Sequence, residues 1–357
     1  MRILLFNITF LVFSISLTGQ HNAYFSKCDW ENVKLDKNYK PSPSDTCMVF
    51  ASVRGCEESE KIFMGYDCDK TKSIHYFRIY FSGSRWTCVP VKNLTEALNG
   101  FNEIKATVFV EGFGFTFLTA LDRATLMARQ YGLLVVMFDW PTYRPDKKSS
   151  YNYKTTVRES AEVAIPFASF IDSLSNHKKS HPESLKSVSL LMHSMGNLLM
   201  MNAIQGGHIK NSDTLFSSII MNAACVPQKD HHVWVEKMNI QKKLYITRNN
   251  RDRILNGAKL ISGFAKQLGQ QPKKPYAKNA LYLDFSRVLD REHNYFLYPG
   301  VLRDHPYIKP LYSVILKGEE PDFSNENRYI KKPKKNAIEI FDLAEAQKGG
   351  IGISVGR

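Results

Sequence analysis

From Lys105 onward the chain alternates short apolar runs with amphipathic stretches, and this alternation limits its fold more than any other feature. An apolar run too short for a helix, then a segment with helical spacing, then another apolar run packs as strand, crossover helix and parallel strand. ATVFVEGFG (Ala106 to Gly114) reads as a buried strand opening into a glycine loop, and Thr119 to Tyr131 follows with Leu121, Ala124, Leu126, Met127 and Ala128 near helical spacing. GLLVVMFDWP (Gly132 to Pro141) is the next strand, stopped by its proline, and Thr155 to Leu174 is the next helix. Ser187 to Met192 is a strand and Gly196 to Gly206 a helix, and Ser217 to Cys225, Lys242 to Asn250 and Ala280 to Ser286 supply three more strands. The expected fold class is α/β, a mostly parallel sheet flanked by helices, and no internal repeat competes with it.

The first quarter differs. CMVFASVRG (Cys47 to Gly55) and IHYFRIYFS (Ile74 to Ser82) are rich in β-branched and aromatic residues and are expected as antiparallel edge strands. Cys28, Cys47, Cys56, Cys68 and Cys88 crowd this region, with Cys225 alone far downstream. Their spacing lacks the close pairs of a structural zinc site, so disulfide-bearing N-terminal strands are expected, with one thiol left over or bridged to Cys225. The N-terminus, MRILLFNITFLVFSISLTG, places Arg2 before a short apolar stretch and a small residue, as a secretory signal does, with an uncleaved anchor as the alternative; either implies export, to a periplasmic, cell-surface or secreted location. The expected organisation is a signal over 1–19, a cysteine-rich region with edge strands over 20–95, the α/β unit over 96–318, and a polar, lysine-rich, poorly ordered tail over 319–357.

A formal charge of +14 raises the question of nucleic acid. The basic residues are spread along the chain without a nucleic-acid-binding module around them, which favours a solvated basic face attracted to anionic surfaces over specific nucleic-acid binding. No cofactor is indicated, and oligomeric state is not legible.

Chemistry concentrates where LLMHSMGNLL (Leu190 to Leu199) places Ser194 between a strand ending at Met192 and a helix starting near Gly196. That is the setting of a nucleophile elbow, G-x-S-x-G, met here only on the downstream side because Met192 stands at the first glycine position. A serine capping a buried helix is the plain alternative. Two further groups follow in the order such sites use. Asp252 lies in TRNNRDRIL, just past one strand, and His293 lies in VLDREHNYF, after the next, with Asp284 and His305 in reserve. A hydroxyl becomes a nucleophile when an imidazole accepts its proton, and the imidazole needs a carboxylate to fix its tautomer. For the oxyanion hole the candidates are the amide of Met195 and the loop Gly112, Phe113 and Gly114, with Phe113 preferred.

The loop VFVEGFG, the strand end FDWP with Tyr143, the elbow MHSMGN, the segment NNRDRIL and the segment EHNYF together resemble the α/β-hydrolase superfamily, and more closely its esterase/lipase-like DUF900-type family. The resemblance implies a serine hydrolase with Ser194 as nucleophile, Asp252 as acid and His293 as base, acting on a small-molecule or lipid-like acyl substrate. Two departures stand out: Glu111 where the family usually has a histidine before the oxyanion-loop glycine, and Met192 in place of a small residue. They motivate the competing reading, a catalytically silent binding protein on the same scaffold.

Overall fold

The computed structural model describes residues 30–58, 62–210, 213–262, 265–331 and 340–343. The expected signal segment and Cys28 lie outside them. The upstream elements are β1 (Val33–Leu35), β2 (Thr46–Ser52), β3 (Arg54–Glu58), β4 (Ile62–Cys68), β5 (His75–Ser82), β6 (Arg85–Val91) and α1 (Leu94–Leu98). Then come β7 (Ile104–Val110), α2 (Phe117–Tyr131), β8 (Leu134–Asp139), α3 (Ser149–Ser180), β9 (Leu185–His193), a 3-10 turn (Ser194–Gly196) and α4 (Asn197–Gln205). The chain continues through β10 (Phe216–Asn222), α5 (His231–Val235), β11 (Gln241–Arg248), α6 (Arg253–Ile261) and β12 (Leu281–Asp284). It closes with α7 (Pro299–Asp304), α8 (Ile308–Leu316), β13 (Tyr329–Lys331) and β14 (Ile340–Leu343).

Twelve of these strands form one sheet in the order β1-β6-β5-β2-β8-β7-β9-β10-β11-β12-β14-β13, and β3 and β4 pair separately. From β2 across to β14 every neighbour is parallel. All six residues of β8 are buried, as expected of a strand covered by helices on both faces. On one such face Phe138 packs edge-on against Phe167 of α3 at 5.0 Å between ring centroids. The α2 crossover is well delimited: Thr116 caps its first turn by accepting from the Thr119 amide, and Gly132 ends it in the left-handed conformation, φ 59°.

Three expectations change. β2 is not an edge strand, since it lies between β5 and β8, antiparallel to the first and parallel to the second. Its run Met48 to Ala51 is fully buried, with a ladder partner on each side, so its backbone groups are paired within the sheet and not left at an edge. The lysine-rich C-terminal stretch is not all tail, because β13 and β14 continue the sheet beyond β12. Cys47, Cys68, Cys88 and Cys225 carry no disulfide. The ladder explains part of this: Cys47 faces Tyr80 and Cys88 faces Ile79 across their strands, so neither meets a second thiol there. Cys225 sits far from that ladder, in the loop after β10, where its amide donates to the Ser194 carbonyl at 3.0 Å.

No helix among the described residues is long and apolar enough to cross a membrane. The chain runs from β7 to β8 on one side of the sheet and then crosses to β9 on the other side of β7. The winding reverses at β7, and the segments after β7 and β9 are brought together at the strands' C-terminal ends.

Candidate active site

Ser194 follows β9 directly and adopts φ 53°, left-handed backbone that a residue with a Cβ seldom takes. Such a conformation costs on the order of 1–3 kcal/mol and persists because its surroundings hold it. Here the Ser194 carbonyl accepts from the Cys225 amide and from Asn197 Nδ2, each at 3.0 Å, and the same Nδ2 donates to the Met192 carbonyl at 3.0 Å. Asn197 is therefore the clamp of the elbow.

Two glycines make room for it. A Cβ on Gly112 would stand 2.7 Å from the Met195 nitrogen and 2.8 Å from the Ser194 Cβ, and one on Gly196 would stand 2.7 Å from the Val110 oxygen. The loop after β7 thus lies directly on the elbow. Met192, by contrast, is fully buried, paired with Val110 on one side and Met221 on the other, so its bulk goes into the core. Close approach is secured at 112 and 196, and a glycine at 192 is not needed.

Asp252 and His293 are in direct contact. Asp252 is fully buried; its Oδ2 lies 2.6 Å from His293 Nδ1, and its Oδ1 accepts from the Leu255 amide at 2.9 Å, capping α6. Helix cap and imidazole partner are one carboxylate. Asn249 holds the two loops together, donating from Nδ2 to the carbonyls of Asp290 and Glu292 at 3.1 Å each. The reserve acid is committed elsewhere, since Asp284 pairs with Arg248 Nη2 at 2.5 Å, and His305 ends α7 rather than meeting Asp252.

The third contact is not made. Among the described residues no hydrogen bond joins the Ser194 hydroxyl to the His293 ring; the ring of the preceding residue, His193, lies 4.6 Å from that of His293, centroid to centroid. Among the described residues neither Ser194 Oγ nor His293 Nε2 has a hydrogen-bond partner, and both residues are largely buried. Nucleophile–base contacts are often long before substrate arrives.

At the oxyanion loop, Gly112 N–H is taken by Glu111 Oε2 at 3.2 Å, so Gly112 serves close packing and is not a free donor. Neither Phe113 N–H nor Gly114 N–H makes a hydrogen bond among the described residues, and Met195 lies in the first turn of the helical segment, where amides lack intrahelical partners. Gly114 supplies the turn, at φ 95°, and Phe115 N–H is anchored by Thr142 Oγ1 at 3.0 Å. The Phe113 ring meets Tyr153 edge-on at 6.0 Å.

Glu111 does not present a bare carboxylate to this loop. Its Oε1 pairs with Arg123 Nε and its Oε2 accepts from His193 Nδ1 at 3.0 Å, all three side chains being buried. Burial opposes the charge on Glu111, but Arg123 and then His193 outweigh it and hold the carboxyl at about 2. Burial also dominates at His193, pushing it down to about 4 against the pull of Glu111, so its ring is neutral at pH 7. Arg123, Asn197 and Asn249 escape a motif search. Arg123 alone carries a signal in the sequence: it shares the apolar stripe of α2 with Ala120, Ala124 and Met127, where an unpaired charge would be costly. Among the described residues no group of three or more His, Cys, Asp or Glu side chains could hold a metal ion.

A mostly parallel sheet with a strained serine elbow at its C-terminal edge, an Asp–His pair on the two following loops and a glycine loop against the elbow is the α/β-hydrolase architecture. The family model described as an alpha/beta hydrolase of unknown function (DUF900) matches residues 91–293, and the chain belongs to that family. Among solved structures it is similar to "brefeldin A esterase, a bacterial homologue of human hormone sensitive lipase", at 12% identity and TM-score 0.37 over 87% of this chain and 84% of that one. No curated protein matches the sequence.

Proposed function

We propose that the protein is an exported serine hydrolase cleaving carboxylic esters or related acyl compounds through Ser194, His293 and Asp252. The observation that carries the reading is the buried 2.6 Å contact between His293 Nδ1 and Asp252 beside an elbow serine at φ 53°. With Nδ1–H donated to the carboxylate, Nε2 keeps its lone pair for the Ser194 proton as Oγ attacks the acyl carbon. The carbonyl oxygen, now an oxyanion, is met by the amides of Met195 and Phe113; the C–O bond breaks, and His293 returns the proton to the departing alcohol. Water repeats the sequence on the acyl-serine and frees the acid.

The alternative of a silent scaffold drew on Glu111 and Met192. The first is charge-paired and the second points into the core, so neither supports it over turnover. The N-terminal apolar segment supports export, and the basic excess supports encounter with anionic surfaces. The test is labelling with a fluorophosphonate probe followed by peptide mass mapping: an adduct on Ser194 that is absent from Ser194→Ala is expected, and an unlabelled folded wild type refutes the reading.

A further inference from the structure

We propose that Glu111, Arg123 and His193 are positioning residues, a buried cluster that fixes the oxyanion loop, the nucleophile elbow and the base loop relative to one another. The inference rests on the serine-hydrolase reading and adds to it three residues that make no contact with a reacting atom.

The geometry is a junction. Glu111 immediately precedes the oxyanion loop and binds that loop's Gly112 amide at 3.2 Å. Its Oε2 also receives His193 Nδ1, and His193 is the residue before the nucleophile. The far side of the His193 ring packs on the base residue, its centroid 4.6 Å from that of His293; with its one proton on Nδ1, Nε2 has none to donate, so this contact is packing alone. Arg123 completes the circuit from α2: Nε reaches Glu111, and Nη2 donates to Asn294 Oδ1 at 2.9 Å, one residue past the base. The guanidinium is held in place by rings, at 4.9 Å from the centroid of Phe115, 5.9 Å from Phe296 and 5.7 Å from Tyr298. Trp140 Nε1 fixes the Glu111 carbonyl at 2.8 Å. All three catalytic segments are therefore tied to one carboxylate.

Stability alone does not account for the arrangement, because apolar residues of similar volume commonly replace a buried ion pair without loss. What an apolar replacement cannot do is direct the Gly112 amide, the His193 ring and the Asn294 amide at once. Pairing Glu111 with Arg123 also removes the negative potential that an isolated carboxylate would impose next to a developing oxyanion.

The test compares wild type, Glu111→Gln, and the double variant Glu111→Gln/Arg123→Met, which removes both charges of the cluster. Three quantities are read: thermal midpoint, kcat and KM on a short-chain p-nitrophenyl ester, and the rate constant of fluorophosphonate labelling. Glu111→Gln is expected to lower the midpoint and, by displacing the catalytic segments, to lower kcat and the labelling rate about 100-fold with KM nearly unchanged. The double variant should regain the midpoint without regaining kcat. Recovery of both would make the cluster merely structural and overturn the proposal. His193→Asn and His193→Leu give the same decision without changing charge, for use if the double variant does not fold. Asn keeps a donor toward Glu111 and should stay within a few-fold of wild type, whereas Leu should lose at least tenfold in kcat. Equal rates for the two refute the inference while the hydrolase reading stands; an inert wild type removes both.

Discussion

Replacing Asp252 by Asn separates two functions that one carboxylate performs. Asp252 uses one oxygen for the Leu255 amide and the other for His293 Nδ1. Asparagine has a single acceptor, so one contact must fail. The Leu255 amide is fixed by the helix, whereas the imidazole can move its proton from Nδ1 to Nε2. The amide oxygen therefore stays on the cap and the NH₂ turns to the ring, which leaves Nε2 protonated and unable to accept the serine proton. An inverted tautomer of this kind lowers kcat roughly 10⁴-fold, equivalent to about 5.5 kcal/mol at 1.36 kcal/mol per tenfold. Stability should stay near wild type, because the cap, worth about 1 kcal/mol, is kept. Asp252→Ala loses both contacts and should show the same catalytic loss with a lower thermal midpoint. Ester turnover and fluorophosphonate labelling measure the first effect, and calorimetry the second. If Asp252→Asn keeps kcat within tenfold of wild type, the carboxylate is only a helix cap and the assignment of His293 as base fails with it.

Ser194→Gly should abolish labelling yet raise unfolding free energy by about 1 kcal/mol, since glycine adopts the left-handed conformation without penalty; chemical denaturation checks the sign. Gly112→Ala should do the reverse, destabilising the fold and stopping turnover together, because its Cβ would stand 2.7 Å from the Met195 nitrogen. In acid, two groups act in the same direction. Glu111 falls from an ordinary 4.5 to about 2 in the folded chain, so its stabilisation is present above pH 4.5 and is lost as pH drops toward 2. His193 falls from 6.5 to about 4, so the unfolded chain takes up its proton first and stability declines between those values. Stability–pH curves of Glu111→Gln and His193→Asn should each flatten in the corresponding window. Burial raises the thiols of Cys88 and Cys225 to about 12, so alkylation of the native protein at pH 8 should leave both unmodified, and labelling of either one while the fold persists would refute their burial.

Periodicity in the sequence establishes the alternating strands and helices, and motif order offers Ser194, Asp252 and His293 as candidates. These are local properties: a β-branched run, a helical spacing or a strand-to-helix junction is written in neighbouring residues. Even there the sequence stops short of boundaries, as α3 shows by starting at Ser149, ahead of the apolar pattern at Thr155. Tertiary structure alone decided that β2 enters the parallel core, that β13 and β14 extend the sheet, and that Cys47 and Cys88 face non-cysteine partners. It also decided the fate of Glu111, read from the sequence as a charge in the wrong place. Arg123 is 12 residues away, His193 is 82, and Asn294 lies 171 beyond Arg123, so no window along the chain contains the cluster. Strand order and the path of α2 bring these residues together, because which distant side chains share a buried space depends on how the sheet winds.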